Sequence, residues 1–257
     1  MHMEKVGLES PISQRGTRVD TGIKGLDELL HGGLPRGSIT LVSGTPGTGK
    51  TILCFQFINA GIAAGEKCLF LTSDDRIPNL MAQARELGFN FDAAAQNGQL
   101  RFLYLNPEKH TLHHDLEEEL QNTNYTRLVL DSLTPLSEMP IWVVSRGTEI
   151  IPADDSMSNS PFPLNSIQAM RVHLRRLMNI LKSEQCTCLV TSEVPEGSRD
   201  LSRDSISEFM VDGIFVLDLD PTMDRRKITI RKMRATKHTL KPHTIEISER
   251  GGMQLLL

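Results

Sequence analysis

Aromatic residues are scarce in this chain of 257 residues, with one Trp, two Tyr and nine Phe making up 5% of it. Single-stranded nucleic acids are gripped by aromatic platforms interleaved with cations. No stretch here interleaves the two, so a stacking groove is not expected. Excess positive charge is missing as well. The 28 Lys and Arg face 32 Asp and Glu for a net charge of −4, which excludes a globally basic nucleic-acid coat and leaves only a local basic rim. No apolar run approaches the roughly 18 residues of a membrane span, and Met1-His2-Met3-Glu4-Lys5-Val6 lacks the hydrophobic region of a secretory leader. The four cysteines, Cys54, Cys68, Cys186 and Cys188, show no C-x-x-C spacing. Reduced, packed thiols in a cytoplasmic protein are expected.

What is present reads as an α/β protein. Hydrophobic residues at 39% and charged residues at 23% suit a globular chain, and the length suits one domain carrying an insertion. Short apolar runs at Ser38 to Ser43, Cys68 to Thr72, Leu100 to Leu105, Arg127 to Asp131 and Cys188 to Thr191 read as buried strands. Helical stretches fall between them, at Thr51 to Ala64, Asn79 to Leu87, Leu112 to Asn122 and Ile167 to Lys182. That alternation predicts a mainly parallel central sheet flanked by helices. Gly213 to Leu217, Lys227 to Met233 and His243 to Ser248 have short connectors, so β-hairpins at one sheet edge are expected. Residues 1–16 read as an N-terminal arm and 17–257 as the domain. A Pro- and Ser-rich stretch, Glu138 to Asn165, reads as a structureless inserted loop.

One motif carries chemistry on its own. Gly44-Thr45-Pro46-Gly47-Thr48-Gly49-Lys50-Thr51 fits G-x-x-x-x-G-K-[ST] in full and lies between a predicted strand and a predicted helix. Glycines let the loop fold around phosphate oxygens with its N–H groups turned inward, and the helix that starts there presents its positive end. Lys50 is expected to reach the β/γ-phosphates and the Thr51 hydroxyl to bind Mg²⁺, with Ile52 closing the nucleotide contacts. ATP and Mg²⁺ are therefore the expected cofactors. A carboxylate completing the metal shell belongs at a neighbouring strand end, where Leu128-Val129-Leu130-Asp131 supplies Asp131. Asp74 and Asp75 follow the strand Cys68 to Thr72 and are the candidates for activating water. The plainer alternative for that pair is a solvated turn.

Thr21-Gly22-Ile23-Lys24-Gly25-Leu26-Asp27, the segment Gly32-Gly33-Leu34-Pro35-Arg36-Gly37-Ser38, the phosphate loop, and Lys232-Met233-Arg234-Ala235-Thr236-Lys237-His238 occur in that order. Together they resemble the KaiC-like branch of the RecA superfamily, over about Thr17 to Met253. The resemblance implies a RecA-like P-loop ATPase core and a homo-oligomeric ring, usually hexameric, with ATP between subunits. By position Asp74 and Asp75 match a pair of catalytic glutamates. Aspartate is one methylene shorter, and a misplacement of about 1 Å at a reacting group costs on the order of 100-fold in rate, so slow hydrolysis is expected. Lys232, Met233, Arg234, Thr236 and His238 match residues that reach a neighbouring subunit's nucleotide, with Lys232 and Arg234 in the catalytic role. Ser248 and Glu249 match further nucleotide contacts. Two-domain relatives carry a Ser-Thr phosphate-accepting pair, and the matching place here holds Glu208-Phe209, so that modification is not expected.

Read as a strand, residues 232–238 turn Lys232, Arg234, Thr236 and His238 to one face. Other groupings are weaker. His110, His113 and His114 near Glu117 to Glu119 read as a solvated face rather than a metal site, and Cys186-Thr187-Cys188 as core. Arg175-Arg176 and Arg199 with Arg203 are the residues with which DNA contact would be made. The expectation is a nucleotide-state regulator that binds a protein partner. A recombinase paralogue acting on DNA, or a non-hydrolysing ATP-binding scaffold, is the alternative.

Overall fold

The apolar runs form the centre of a sheet because they are buried from both sides. The computed structural model of the chain describes residues 18–109, 111–138, 143–144, 150–151, 167–182, 186–248 and 252–256. It begins with β1 (Arg18–Val19), α1 (Leu26–Leu29) and β2 (Leu34–Pro35), the two strands pairing as a small antiparallel ribbon. Then come β3 (Ile39–Gly44), α2 (Lys50–Ala63), β4 (Cys68–Thr72), α3 (Ile77–Glu86), α4 (Asp92–Gln96), β5 (Leu100–Tyr104), α5 (Leu112–Asn122), β6 (Arg127–Asp131) and α6 (Thr134–Glu138). After β7 (Val143–Val144) and β8 (Ile150–Ile151) follow α7 (Ile167–Leu181), β9 (Thr187–Glu193) and α8 (Ser207–Met210). The chain closes with β10 (Gly213–Asp220), β11 (Arg225–Met233), β12 (His243–Ser248) and β13 (Gly252–Leu256).

Nine of these strands form one sheet in the order β13-β12-β11-β10-β3-β9-β6-β4-β5. Strands β10, β3, β9, β6, β4 and β5 run parallel, so all their C-terminal ends emerge at one edge. β11, β12 and β13 continue the sheet as antiparallel hairpins. Alternation along each central strand feeds two cores. Val42, Phe70 and Val129 pack towards α2 to α4, while Leu41, Leu69, Leu71, Leu128 and Leu130 pack towards α5 and α7. On the α2 side, Phe55 meets the rings of Phe70, Phe89 and Phe91 at centroid distances of 5.6, 6.1 and 5.8 Å, spacings at which aromatic pairs attract. All four cysteines are buried free thiols, as expected.

Two polar clamps hold α2 in place. The fully buried Arg127 donates to Glu66 Oε2 at 2.7 Å and to the carbonyls of Asp20 and Phe57 at 2.6 and 2.9 Å. Gly61 makes room for it, since a Cβ there would stand 2.5 Å from Arg127 Cδ. Gln56 uses both ends of its amide on Met253, donating to its carbonyl at 2.9 Å and accepting from its N–H at 2.8 Å.

Three expectations need correction. The insertion is not without structure, because Val143 and Val144 pair antiparallel with Ile151 and Ile150; the β-branched runs around them favour a strand. Apart from Glu138, which ends α6, the remainder of that insertion and the arm 1–16 lie outside the described residues. The stretch 232–238 is not one strand. β11 ends at Met233, and Ala235 turns the chain with φ 55°, so side-chain alternation stops there. Finally, His113 is not on a solvated face. It is 2% exposed and its ring meets that of His173 edge-on, with centroids 4.8 Å apart. His173 in turn donates from Nε2 to the Leu136 carbonyl at 3.1 Å. His114 is exposed, and His110 is outside the described residues.

Burial, reinforced by His173 and Arg176, pushes the His113 pKa down to about 3. The unfolded chain therefore binds a proton on this residue that the folded chain refuses. Its neutral form contributes fully above pH 6.5, and that contribution is lost as pH falls from 6.5 towards 3, at up to about 1.4 kcal/mol per pH unit. Asp27, pushed up to about 7 by burial and its hydrogen bond with Asp20, works in the opposite sense, so the wild-type curve alone does not isolate the histidine. Urea unfolding of wild type and His113→Leu across pH 4.5 to 7.5 should show the wild type losing more stability on the acid side. Parallel curves would contradict the assignment.

Candidate functional site

β3 runs straight into the phosphate loop, and the loop's shape follows from its glycines. A Cβ on Gly44 would stand 2.5 Å from the Leu217 carbonyl and 2.8 Å from Thr48 Oγ1, so only glycine allows β10 to pack so close. Gly47 and Gly49 have φ of 80° and 101°, in the left-handed region that side chains avoid. Thr48 closes the loop by donating from Oγ1 to the Thr45 carbonyl at 2.9 Å. Lys50 opens α2 and folds back over the loop. Its ammonium donates to the carbonyls of Gly44 and Thr45 at 3.0 and 3.1 Å and lies 3.5 Å from Glu193 Oε1. From the neighbouring hairpin, Arg226 Nε donates to the Gly47 carbonyl at 3.2 Å.

Parallel register brings the carboxylates to the same edge. Asp131 accepts from Thr51 Oγ1 at 2.7 Å on one oxygen and from the Thr191 hydroxyl on the other. Burial pushes its pKa up while the two hydroxyls oppose the shift. Asp74 accepts from Ser132 Oγ at 2.6 Å. The cavity walls desolvate it and raise its pKa, the charges of Glu193 and Asp75 act the same way, and the Ser132 hydrogen bond opposes them. Asp75 is tied through its backbone, its N–H donating to Thr72 Oγ1 at 3.2 Å. These groups surround a cavity of about 380 Å³ whose lining includes Gly47, Lys50, Thr51, Ile52, Asp74, Asp75, Asp131 and Glu193, with Leu80 and Gln83 from α3.

The donor set fits a magnesium–nucleotide. The Thr51 hydroxyl and the Asp131 carboxylate are hard oxygen ligands of the type Mg²⁺ takes. A Cβ built on Gly47 would meet nothing within 4 Å, so the loop backbone is open to a phosphate chain at the N-terminus of α2. Pro46 and Gly49 also line the cavity, while Gly44, Thr45 and Thr48 shape the loop from behind. Among the described residues no cluster of three or more His, Cys, Asp or Glu side chains is arranged to hold a metal by itself, so a magnesium ion here would depend on the phosphates as well as on Thr51 and Asp131; no helix among them is long and apolar enough to cross a membrane.

The second group of sequence candidates sits elsewhere. Met233 pairs with Gly213, and Gly213 with Thr40 near the start of β3, so Lys232 and Arg234 lie at the sheet edge opposite the cavity. Lys232 donates to the carbonyls of Glu208 and Val211 at 3.1 and 2.6 Å, and its pKa is lowered by burial and by Arg234. Arg234 is exposed and donates to Asp212 Oδ1 at 3.0 Å. Thr236 accepts from Arg18 Nη1 at 2.7 Å, His238 donates to the Thr236 carbonyl at 3.0 Å, and His31 donates to the Lys237 carbonyl at 2.9 Å. The N-terminal ribbon thus holds this turn. Ser248 donates to the Gly252 carbonyl at 3.3 Å and follows Ile247, whose Cδ1 would lie 3.1 Å from a Cβ on Gly49. Glu249 lies outside the described residues. Arg203 is engaged by Glu138 at 2.5 Å.

Sequence reasoning missed Ser132, Thr191, Glu193 and Arg226. Three of them carry a local signal. Leu189-Val190-Thr191-Ser192-Glu193 repeats the apolar-strand-then-polar-end pattern of Leu128 to Ser132, and in a parallel sheet such ends converge on the ligand edge. Arg226 carries none, because its approach to Gly47 depends on the hairpin's path.

A model of the family described as "ATPase: KaiC" matches residues 19–146 and 154–256. A UPF0273 protein of Methanopyrus kandleri is 32% identical over 238 residues, covering 91% of this chain and 90% of that protein. The circadian clock oscillator protein KaiC of a Picosynechococcus species is 29% identical over 237 residues, and the match spans 91% of this chain but 43% of that one. Among solved structures, a KaiC-like protein from the hyperthermophilic Pyrococcus horikoshii superposes with a TM-score of 0.76 at 30% identity, covering 94% of this chain and 99% of that one.

Thr191→Val leaves the Asp131 carboxylate short of one hydrogen bond in a buried position, which costs about 1–3 kcal/mol. Denaturant unfolding at neutral pH should register that loss. A variant as stable as wild type would mean that the Thr191 hydroxyl is not a partner of Asp131.

Proposed function

The chain belongs to the KaiC ATPase family of the RecA superfamily, and from that premise we propose that it is a slow Mg²⁺-dependent ATPase working as a ring, usually hexameric, of identical subunits. The observation that carries this reading is the contact of Thr51 with Asp131 at 2.7 Å, beneath a phosphate loop and beside Asp74. A bound magnesium ion would supply charge neutralisation for the phosphates and would be held by Thr51 and Asp131. The loop N–H groups and Lys50 bind and orient the triphosphate. Gly44 to Ile52 make the local contacts, and Ser248 and Glu249 are proposed as further nucleotide contacts.

Asp74 rather than Asp75 is the group that takes the proton from water. Its raised pKa brings it nearer the operating pH, which favours a general base, and the Ser132 hydroxyl holds one of its oxygens in a defined direction. Asp75 is the second choice and adds negative charge that keeps Asp74 basic.

Lys232, Met233, Arg234, Thr236 and His238 act on the nucleotide of a neighbouring subunit. Their position at the sheet edge away from the chain's own cavity supports this. The span along β3 from Thr40 to Gly44 alone is about 13 Å at the usual strand rise, out of reach of an arginine side chain on the same subunit. Arg234, exposed and held by a single carboxylate, is the arginine finger, and Lys232 joins it in offsetting the charge that develops on the γ-phosphate. Nucleotide state then controls the binding of a protein partner. The domain is 17–257, with 1–16 as an arm and 138–165 as an insertion, and the protein works in the cytoplasm.

ATP turnover and particle size measured together, with and without DNA, test this. Lys50→Ala should abolish nucleotide binding. Asp74→Ala should lower turnover by about 10²-fold or more, and Asp74→Glu should raise it if reach limits the rate. Arg234→Ala mixed with Lys50→Ala should regain partial activity at junctions where an intact loop faces an intact finger. Inactive mixed rings would exclude action in trans, turnover at background in the wild type would favour the scaffold, and stimulation by DNA would favour the recombinase.

A further inference from the structure

Lys50 makes two hydrogen bonds, to the loop carbonyls of Gly44 and Thr45, and its ammonium stands at ion-pair distance, 3.5 Å, from Glu193 Oε1. The Glu193 side chain is half exposed, but its backbone is fixed. Glu193 is the last residue of β9, its Cα registers with Gly44 of the phosphate loop, and its N–H donates to Thr134 Oγ1 at 3.0 Å. The following N–H, of Val194, donates to the same Gly44 carbonyl that accepts from Lys50, at 3.3 Å. Backbone geometry thus aims this carboxylate at the loop lysine.

The charge balance of the cavity gives that contact its meaning. Asp74, Asp75, Asp131 and Glu193 line it, and Lys50 is its only lysine or arginine among the described lining residues. On the proposed reading Asp131 serves the metal and Asp74 serves the water, which leaves Glu193 with neither task. A phosphate chain entering over the loop must draw Lys50 away from Glu193, and it meets the Glu193 charge as it does so. We propose that Glu193 sets the affinity of the nucleotide site by competing with the β- and γ-phosphates for Lys50. The inference rests on the nucleotide reading of the cavity. Its consequence is a site that binds polyphosphate nucleotides less tightly than its phosphate loop alone would, and that releases the product diphosphate readily because Glu193 recaptures the lysine.

Two substitutions separate contact from mere charge. Glu193→Gln keeps the size and removes the charge, while Glu193→Asp keeps the charge and draws it back by one methylene. Calorimetric titration of each full-length protein with ADP in the presence of Mg²⁺ should show roughly two- to fivefold tighter binding by the Gln variant, the range expected for releasing one partly exposed ion pair. The Asp variant should also bind more tightly than wild type, by a smaller factor. A disturbed fold would weaken binding, so a gain is not a folding artefact. Unchanged or weaker ADP binding by the Gln variant overturns the proposal. So does a tighter Gln variant beside an Asp variant that matches wild type, since diffuse repulsion would then explain the gain. If neither wild type nor variants bind ADP, the nucleotide reading itself fails, a result distinct from the other two.

Discussion

The buried carboxylate of Asp131 is the constraint around which the site is arranged. A carboxyl group at 9% exposure is tolerable only when its oxygens are hydrogen-bonded, and its two partners come from different elements. Thr51 belongs to the first turn of α2 and Thr191 to the end of β9. Satisfying one buried carboxyl group therefore fixes the start of a helix against the ends of two strands. The register of β6 against β9 and of β9 against β3 delivers those ends at the same level, so the phosphate loop is held open by contacts beneath it.

Topology divides the chemistry between the two edges of the sheet. The parallel strands send Gly44, Asp74, Asp131 and Glu193 to their C-terminal edge. The β10–β11 hairpin reverses direction and carries Lys232 and Arg234 back to the opposite one. Its outward end leaves Arg226 against the Gly47 carbonyl, so one hairpin touches both the loop of its own subunit and the far edge. A molecule with an acidic, cation-poor cavity at one edge and exposed Arg234 at the other is suited to head-to-tail association, in which each edge supplies what the other lacks. The proposed ring follows that complementarity.

Neighbouring residues with the same side chain are separated by their surroundings. Asp74 and Asp75 are indistinguishable in composition, yet Ser132 binds the side chain of the first while Thr72 binds the backbone of the second. His113 and His114 differ in the same way: one turns into the core against His173 and the other into solvent. Helical periodicity allows either face at such a position, and the partner on α7 decides between them.

Much of the fold and part of the site were legible in the chain itself. Periodicity marked β4, β6, α5 and β12 to the residue, because local apolar spacing and glycine or proline boundaries define such elements without reference to anything distant. The phosphate loop was legible for the same reason, since its glycines, lysine and threonine are contiguous and each answers a local geometric demand. Asp131 and the Asp74-Asp75 pair followed, as strand ends in a parallel sheet converge on one edge. The stretch 232–238 was misread because alternation persists in its sequence after β11 has ended; the turn at Ala235 is held by Arg18 and His31, distant in the chain. Glu193 beside Lys50, Thr191 beneath Asp131, Arg226 over Gly47 and the His113–His173 pair were likewise decided only by tertiary structure. Each joins residues far apart in sequence, and no local pattern encodes which strand end or helix face will be its neighbour.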